Sequence, residues 1–512
     1  MDLPLRRTTT RALCVLAILA SLLLTAGRSA TAPPRDDARA ASARGADGRA
    51  PALQRDGRRP NVVTFLVDDM RADELAWMPR TRALLAERGL TFTRGISPHP
   101  LCCPARAELL TGQYAQNNGV HSNDGRDGGY QALDPRETLP VWAQRAGYRT
   151  AFVGKYLNEY EAAGTRDPGW DVFSPLLAPV YDYRTSYFRG ERGDAGYVTD
   201  AITERGVAAI TDFARGRRPF LVMLNHLAPH DAITPTGVTP PIPARRHRGL
   251  YRGATAPVLR DAAFNERRLG DKPAPLDTLR RVRPGVVQHL FLQRIRSLAA
   301  VDESVGAVVD ALRRTGELDD TWIVFTSDNG YGLGVHRFRS KNVLYDEVLR
   351  VPLLIAGPGI PASLRGTRTD RLVSLVDLPA TIVDLIGARP RGHRLDGIST
   401  ADLWQDPPTG DDDAGWRDLT LVQTAVETSA ERPGGWTWRG VLGDRYLYGH
   451  DPAVPGREFL YDHAVDPDEL RNVVDDPRYA TVRRVLREQL QRLETCAGRR
   501  CNPDVEVPPP AW

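Results

Sequence analysis

Residues 61–67 form an unbroken, almost wholly apolar run that stops at Asp68 and Asp69. Such a run offers no face to water. It reads as a strand buried on both sides, the kind found in a parallel sheet covered by helices. Residues 150–153, 220–224, 322–326 and 351–355 fit the same role. Between the runs lie amphipathic stretches of helical spacing, at 80–88, 139–146, 201–214 and 292–314. Strands alternating with helices predict an α/β fold. In open sheets of that kind, chemistry collects beyond the carboxyl ends of the strands. The polar residues at those ends are Asp68 and Asp69, then Lys155, then Asn225, His226 and His230, then Asp328 and Asn329.

The rest of the chain reads differently. Arg6, Arg7 and Arg11 precede an apolar stretch at 12–25 that is short for a bilayer span, and small residues follow it. Residues 1–30 therefore read as a signal peptide. The expectation is a secreted, extracellular or envelope-associated protein with no stable membrane insertion after cleavage. Residues 31–59, rich in Ala, Arg, Asp and Pro, read as a disordered linker. A large α/β domain is expected over 60–405, with an irregular Pro-, Arg- and Gly-rich insertion at 231–290 covering the pocket. Pro, Gly and Asp cluster at 405–415 and mark a boundary. Beyond it, strand-like runs at 419–426, 437–442 and 446–448 and a helical stretch at 479–493 predict a smaller α+β domain over 416–512.

The formal charge of +4 misleads. Residues 1–30 hold four arginines and one aspartate, so the remainder carries +1; residues 31–59, with seven arginines and four aspartates, leave the core at −2. No nucleic-acid partner is implied. Only three of the 68 basic residues are lysines: Lys155, Lys272 and Lys341. Arginine supplies the general surface charge, so a retained lysine points to a place where a compact ammonium cannot be replaced. Of five cysteines, Cys14 leaves with the leader. Cys496 and Cys501, close together in an exported chain, predict a disulfide. Cys102 and Cys103 are adjacent and poorly placed to bond to each other.

Those two cysteines open Cys102-Cys103-Pro104-Ala105-Arg106. Pro104 suits the first turn of a helix and Gly112 its end, which would set Cys102 just before a helix N-terminus. Free N–H groups there favour an anion, and Arg106 adds a positive fork. The pattern C-x-P-x-R resembles the signature of the sulfatase family. Gly-Lys-Tyr-Leu-Asn-Glu-Tyr at 154–160, Val-Pro-Leu-Leu-Ile-Ala-Gly-Pro-Gly at 351–359 and the two late cysteines resemble its N-acetylglucosamine-6-sulfatase branch.

The resemblance implies an alkaline-phosphatase-like fold, a large central, mostly parallel sheet flanked by helices. It implies that a formylglycine-generating enzyme oxidises Cys102 to formylglycine. One ion, Ca²⁺ or Mg²⁺, would be held by Asp68, Asp69, Asp328, Asn329 and the modified Cys102, an oxygen set suited to a hard cation. Arg106, Lys155, His230 and Lys341 would stabilise charge in the reaction, with His336 and Asn225 toward the substrate. The chain departs from the family in having Ala105 where Ser is usual. It also has Leu157 where many members carry a histidine, so the proton role would pass to His226, Asn225, His121 or water. The implied activity is hydrolysis of a sulfate ester, such as 6-sulfated N-acetylglucosamine or another sulfated carbohydrate, by a formylglycine hydrate. Alternatives are a phosphodiesterase or phosphonate monoester hydrolase on the same fold, and a non-catalytic glycan-binding protein. The Ala- and Arg-rich composition fits a bacterial origin.

Overall fold

A computed structural model describes residues 59–511, apart from 161–165, 178–179, 185–186, 190–195, 274–275, 406–415 and 427–434. The leader expected at 1–30, all but the last residue of the 31–59 linker, and nearly all of the 405–415 boundary lie outside these residues.

The apolar runs form the middle of a nine-stranded sheet. In chain order its strands are β1 (Asn61–Val67), β2 (Leu90–Ile96), β3 (Arg149–Gly154), β4 (Val172–Leu177), β5 (Tyr187–Phe188), β6 (Phe220–Asn225), β7 (Thr321–Ser327), β8 (Leu353–Ala356) and β9 (Thr367–Ser374). They lie side by side as β9-β2-β8-β7-β1-β6-β3-β4-β5. From β7 to β4 all neighbours are parallel. The central β1 feeds two cores: Val62 and Leu66 pack with Phe152 and Trp322 on one face, while Val63, Phe65 and Val67 pack with Leu224 and Phe325 on the other. Full burial of each such side chain contributes about 1.5–3 kcal/mol.

The flanking helices are α1 (Cys102–Thr111), α2 (Leu139–Arg145), α3 (Val198–Phe213), α4 (Pro284–Arg314) and α5 (Asp377–Ile386). Leu109, Trp142 and Ile382 bring α1, α2 and α5 onto the first face; Ile202, Ile210, Leu298 and Val305 bring α3 and α4 onto the second.

The ends of four strands are level. Leu66 pairs with Asn225, Val67 with Ser327 and Gly154 with Asn225. The residues following β1, β3, β6 and β7 therefore emerge together. Gly154 permits this junction: its φ is +117°, and a Cβ there would lie 1.9 Å from the Asn225 carbonyl oxygen.

Three expectations need correction. The strand expected at 351–355 runs 353–356 and is antiparallel to both neighbours, β7 and β2. The chain reaches it by a loop that starts and ends at the same edge, without the crossover a parallel strand needs. The helix expected from 292 begins at Pro284, inside the segment read as irregular, because Val287 and Leu290 extend its buried face. Cys102 is the first residue of α1 rather than the one before it, with Leu101 as N-cap. Strands β2, β4 and β9 were not expected: threonine, proline and charge interrupt their apolar pattern.

A second, antiparallel sheet follows: β10 (Leu419–Ala425), β11 (Trp436–Gly443), β12 (Tyr446–His450) and β13 (Glu458–Asp462), paired in chain order. Helix α6 (Ala480–Leu493) covers one face through Val482, Leu486 and Leu490. The other face packs Val422, Leu447 and Tyr461 against Ile96, Leu344 and Tyr345. Cys496 and Cys501 form the expected disulfide. Among the described residues no helix is long and apolar enough to cross a membrane.

Candidate active site

The first turn of α1 sends its two cysteines in opposite directions. Cys103 joins the apolar core, and its Sγ accepts the Asn158 N–H at 3.1 Å. Cys102 Sγ faces the level strand ends. It accepts from Lys341 Nζ at 2.8 Å and from Lys155 Nζ at 3.3 Å, and Asp68 Oδ1 lies 3.7 Å away. Burial pushes the Cys102 thiol up to about 11, against the pull of the two lysines. As a thiol it would be protonated and a weak nucleophile at neutral pH.

Two carboxylates, Asp68 and Asp69, adjoin that sulfur, with a third behind them. Atoms of Asp68, Asp69, Cys102 and His230 that could ligate a metal all lie within 4.8 Å of one another. Asp68 accepts from Lys155 Nζ and lies 3.3 Å from Arg106 Nη2. Asp69 Oδ1 accepts from Lys341 Nζ at 2.5 Å and Asn329 Nδ2 at 2.7 Å, and its Oδ2 is 3.7 Å from His230 Nε2. Asp328 stands one layer back. Its Oδ1 accepts the Asp69 N–H at 3.0 Å, and its Oδ2 takes Arg106 Nε and Nη2 at 3.0 and 2.8 Å. Arg106 also bonds the Lys155 carbonyl at 2.7 Å, so it braces the carboxylates and the Lys155 backbone rather than reaching Cys102.

Burial works against ionising Asp68 and Asp69, but Lys155 and Lys341 outweigh it and both stay below the usual carboxylate range. Burial and the neighbouring Asp68 push Asp328 up to about 6. Burial holds His230 down to about 4, so the ring is neutral at pH 7. Its Nδ1 sits 2.6 Å from the Asp231 carbonyl and carries the proton, leaving Nε2 an acceptor facing Asp69. Asn329 Oδ1 is buried and accepts no hydrogen bond. Carboxylate and amide oxygens gathered with one orphaned acceptor fit a hard divalent cation.

Comparison with known proteins gives the family. The family profile described as Sulfatase matches residues 60–388, and one described as N-sulphoglucosamine sulphohydrolase, C-terminal, matches residues 334–496. The chain belongs to the sulfatase family. Sulfatases are sulfuric ester hydrolases, and so is this protein. Its relatives include an arylsulfatase of Volvox carteri, 32% identical over 87% of this chain and 76% of that one. Another is the N-acetylglucosamine-6-sulfatase of Homo sapiens, 32% identical over 72% of this chain and 67% of that one. Among solved structures, the phosphonate monoester hydrolase of Agrobacterium radiobacter superposes with a TM-score of 0.66 at 25% identity, covering 85% of this chain and 95% of that one.

In this sulfatase the strand ends bring together nine residues singled out from the sequence: Asp68, Asp69, Cys102, Arg106, Lys155, His230, Asp328, Asn329 and Lys341. Asn225 adjoins them, its Nδ2 donating to the Lys155 carbonyl at 3.3 Å. His336 Nδ1 lies 2.6 Å from Glu266 Oε2, and its ring stacks on Tyr345 at 4.3 Å. Glu266 also lies 3.2 Å from Nζ of Lys272, so the third lysine is buried in an ion pair of the insertion. His226 stacks on Phe65 and meets Ser304 of α4 at 3.2 Å, on the far face of the sheet. His121 rests on Trp436. Leu157 is part of the apolar core, so that position does not open onto the site.

Two neighbours escaped sequence reading. Tyr181 lies 4.5 Å from the His230 ring, with Lys155 Nζ 4.6 Å over its own ring, in a stretch whose spacing carries no signal. Arg294 bonds the Asp69 carbonyl; its signal was a charge set on the apolar stripe of α4 beside Phe291 and Ile295. Beside Lys341 a cleft of about 330 Å³ opens between the insertion, the 338–345 loop and the second sheet, walled by Leu276, Leu279, Phe338, Val343, Trp438 and Tyr461.

Proposed function

We propose that this sulfatase cleaves a sulfate ester of a carbohydrate through a formylglycine made from Cys102, with one divalent cation at the ends of β1 and β7. The observation that carries the reading is the setting of Cys102 Sγ, in hydrogen-bond reach of two ammonium groups and beside the carboxylates of Asp68 and Asp69. Sulfur marks the place that the oxygens of the modified side chain would take. As its hydrate, formylglycine supplies an oxygen nucleophile together with a second hydroxyl whose deprotonation releases sulfate. Asp68, Asp69, Asp328, Asn329 and residue 102 would hold a Ca²⁺ or Mg²⁺, which when bound would supply charge to polarise the ester and acidify the hydrate.

The chain's own groups do the rest. Lys155 and Lys341 hold anionic oxygens at residue 102 and on the sulfuryl group, where charge builds in the transition state. Asp69 and His230 Nε2 are the acceptors placed to take a proton from the hydrate. Arg106 keeps Asp68, Asp328 and the Lys155 backbone in register. The similarity to N-acetylglucosamine-6-sulfatases supports a 6-sulfated amino sugar as substrate. The disulfide at 496–501 supports export, with maturation by a formylglycine-generating enzyme. In this reading residues 60–405 carry the chemistry and residues 416–512 form the smaller accessory part.

Mass spectrometry of the active protein tests this directly. The peptide containing residue 102 should carry the aldehyde or its hydrate, while Cys103 stays a thiol. A fully active preparation with an unmodified Cys102 would end the proposal. The likeness to a phosphonate monoester hydrolase favours a second reading, in which the same cations receive a phosphonate or phosphate diester. Parallel assays on matched sulfate, phosphonate and phosphate esters separate the two.

A further inference from the structure

Asp69 is held in a conformation that non-glycine residues seldom adopt, with φ of +68°. Such a backbone persists only where its surroundings over-determine it, and such residues cluster at ligand clamps. Here each polar part of Asp69 is engaged. Its N–H donates to Asp328 Oδ1 at 3.0 Å, and its carboxylate faces Lys341, Asn329 and His230. Its carbonyl accepts from Nη2 of Arg294, which reaches across from α4.

Arg294 has no access to solvent. It is paired with Glu74, equally buried, through Nε to Oε1 at 2.6 Å and Nη2 to Oε2 at 2.7 Å. Glu74 Oε2 also accepts the Arg71 N–H at 3.0 Å, tying the pair to the loop that follows β1. The Arg294 guanidinium lies 4.6 Å over the Tyr331 ring, two residues beyond Asn329. A pair buried this deeply gains little net stability, because desolvation offsets most of the attraction. What this pair does in addition is direct a donor at one carbonyl. The guanidinium engages the Asp69 main chain and leaves the carboxylate oxygens facing Cys102.

We infer that Arg294 and Glu74 are positioning residues that lock the Asp69 backbone and so aim its carboxylate at a divalent cation. This rests on the cation reading proposed above. Partners of this kind, one layer behind a ligand, typically change metal affinity about 10–100-fold when removed.

The test is calorimetric titration of Ca²⁺, and separately of Mg²⁺, into chelator-stripped full-length protein. Two variants are compared with the wild type. Arg294→Lys keeps a charge for Glu74 but lacks the fork that also reaches the Asp69 carbonyl. The double variant Glu74→Gln with Arg294→Met removes the pair without stranding a buried charge. Expected results are a Kd raised about 10–100-fold in both variants, kcat restored toward wild type at saturating cation, and little change in the Tm of the metal-free protein. A merely structural pair would lower the metal-free Tm and leave Kd unchanged. An unchanged Kd in folded Arg294→Lys, beside a wild type that binds, overturns this inference alone. A wild type that binds neither ion overturns it together with the cation reading.

Discussion

Two parts of this molecule pair their charges on opposite terms. Around the second sheet, the carboxylates are matched by arginine and tyrosine. Asp462 takes Arg445 Nε and Nη2 on its two oxygens at 2.7 Å each, and the Tyr479 hydroxyl at 2.9 Å. Glu458 accepts from Arg483 at 2.8 Å and from Arg487 at 2.7 and 2.8 Å, with the Tyr448 hydroxyl at 2.9 Å. Nearby, buried Asp377 takes Arg417 and the N–H groups of Ser374 and Ile398. At the ends of β1, β3 and β7, by contrast, Asp68 and Asp69 crowd one sulfur with Asp328 behind them, and the cations touching that sulfur are lysines. Asn329 and Asn225 are each left with a buried oxygen that nothing donates to. A guanidinium fork closes off a carboxylate; an ammonium can address a carboxylate and a second atom at once. In the proposed reading, the difference separates charge that holds shape from charge kept open for a ligand.

Substitution in each region should therefore fail in its own way. Cys102→Ala should remove turnover altogether while circular dichroism and Tm show an intact fold, and Cys103→Ala should retain measurable turnover. Substantial activity in Cys102→Ala would erase the contrast at its centre. Arg417→Met should act on the other side: it strands Asp377 without solvent and should cost about 3–5 kcal/mol of stability. Denaturant unfolding would read that loss, and kcat of the folded fraction should not move. Lys341→Met should lower kcat/KM about 10²–10³-fold, about 2.7–4 kcal/mol of transition-state stabilisation, in a protein that still unfolds cooperatively. The smallest effect concerns Glu458. Burial raises its pKa, but hydrogen bonds from Arg483, Arg487 and Tyr448 outweigh this and bring it down to about 2, against an ordinary 4.5. A lowered carboxyl stabilises the fold fully above its unfolded value, and that contribution fades as pH falls through the folded one. Thermal melts between pH 5 and 2, a range chosen to span about both values, should show wild type losing Tm more steeply than Glu458→Gln. Equal slopes would mean that this network holds nothing.

The sequence was most readable where burial leaves least freedom. β1, β3, β6 and β7 are covered on both faces, so their composition is unambiguous and the polar residues that end them could be named. β8 was found but its direction was not, because an apolar run looks the same read parallel or antiparallel. β9, at the sheet edge, alternates charge with threonine and carries no such signature. His336 followed the motif pattern, but its partners Glu266 and Tyr345, 70 and nine positions away along the chain, are set by the fold. The roles of Arg294 and Glu74 depend on a contact between α4 and the loop after β1, a pairing that neither segment's spacing encodes.

The lysines carry one more consequence. Lys155, Lys272 and Lys341 expose 1%, 0% and 9% of their side chains. A reagent that acylates primary amines would find almost no ε-amino target on the folded molecule. Its rate of labelling at each position would then act as a clock for local opening, timing separately the strand end, the insertion and the loop that carries the third amine.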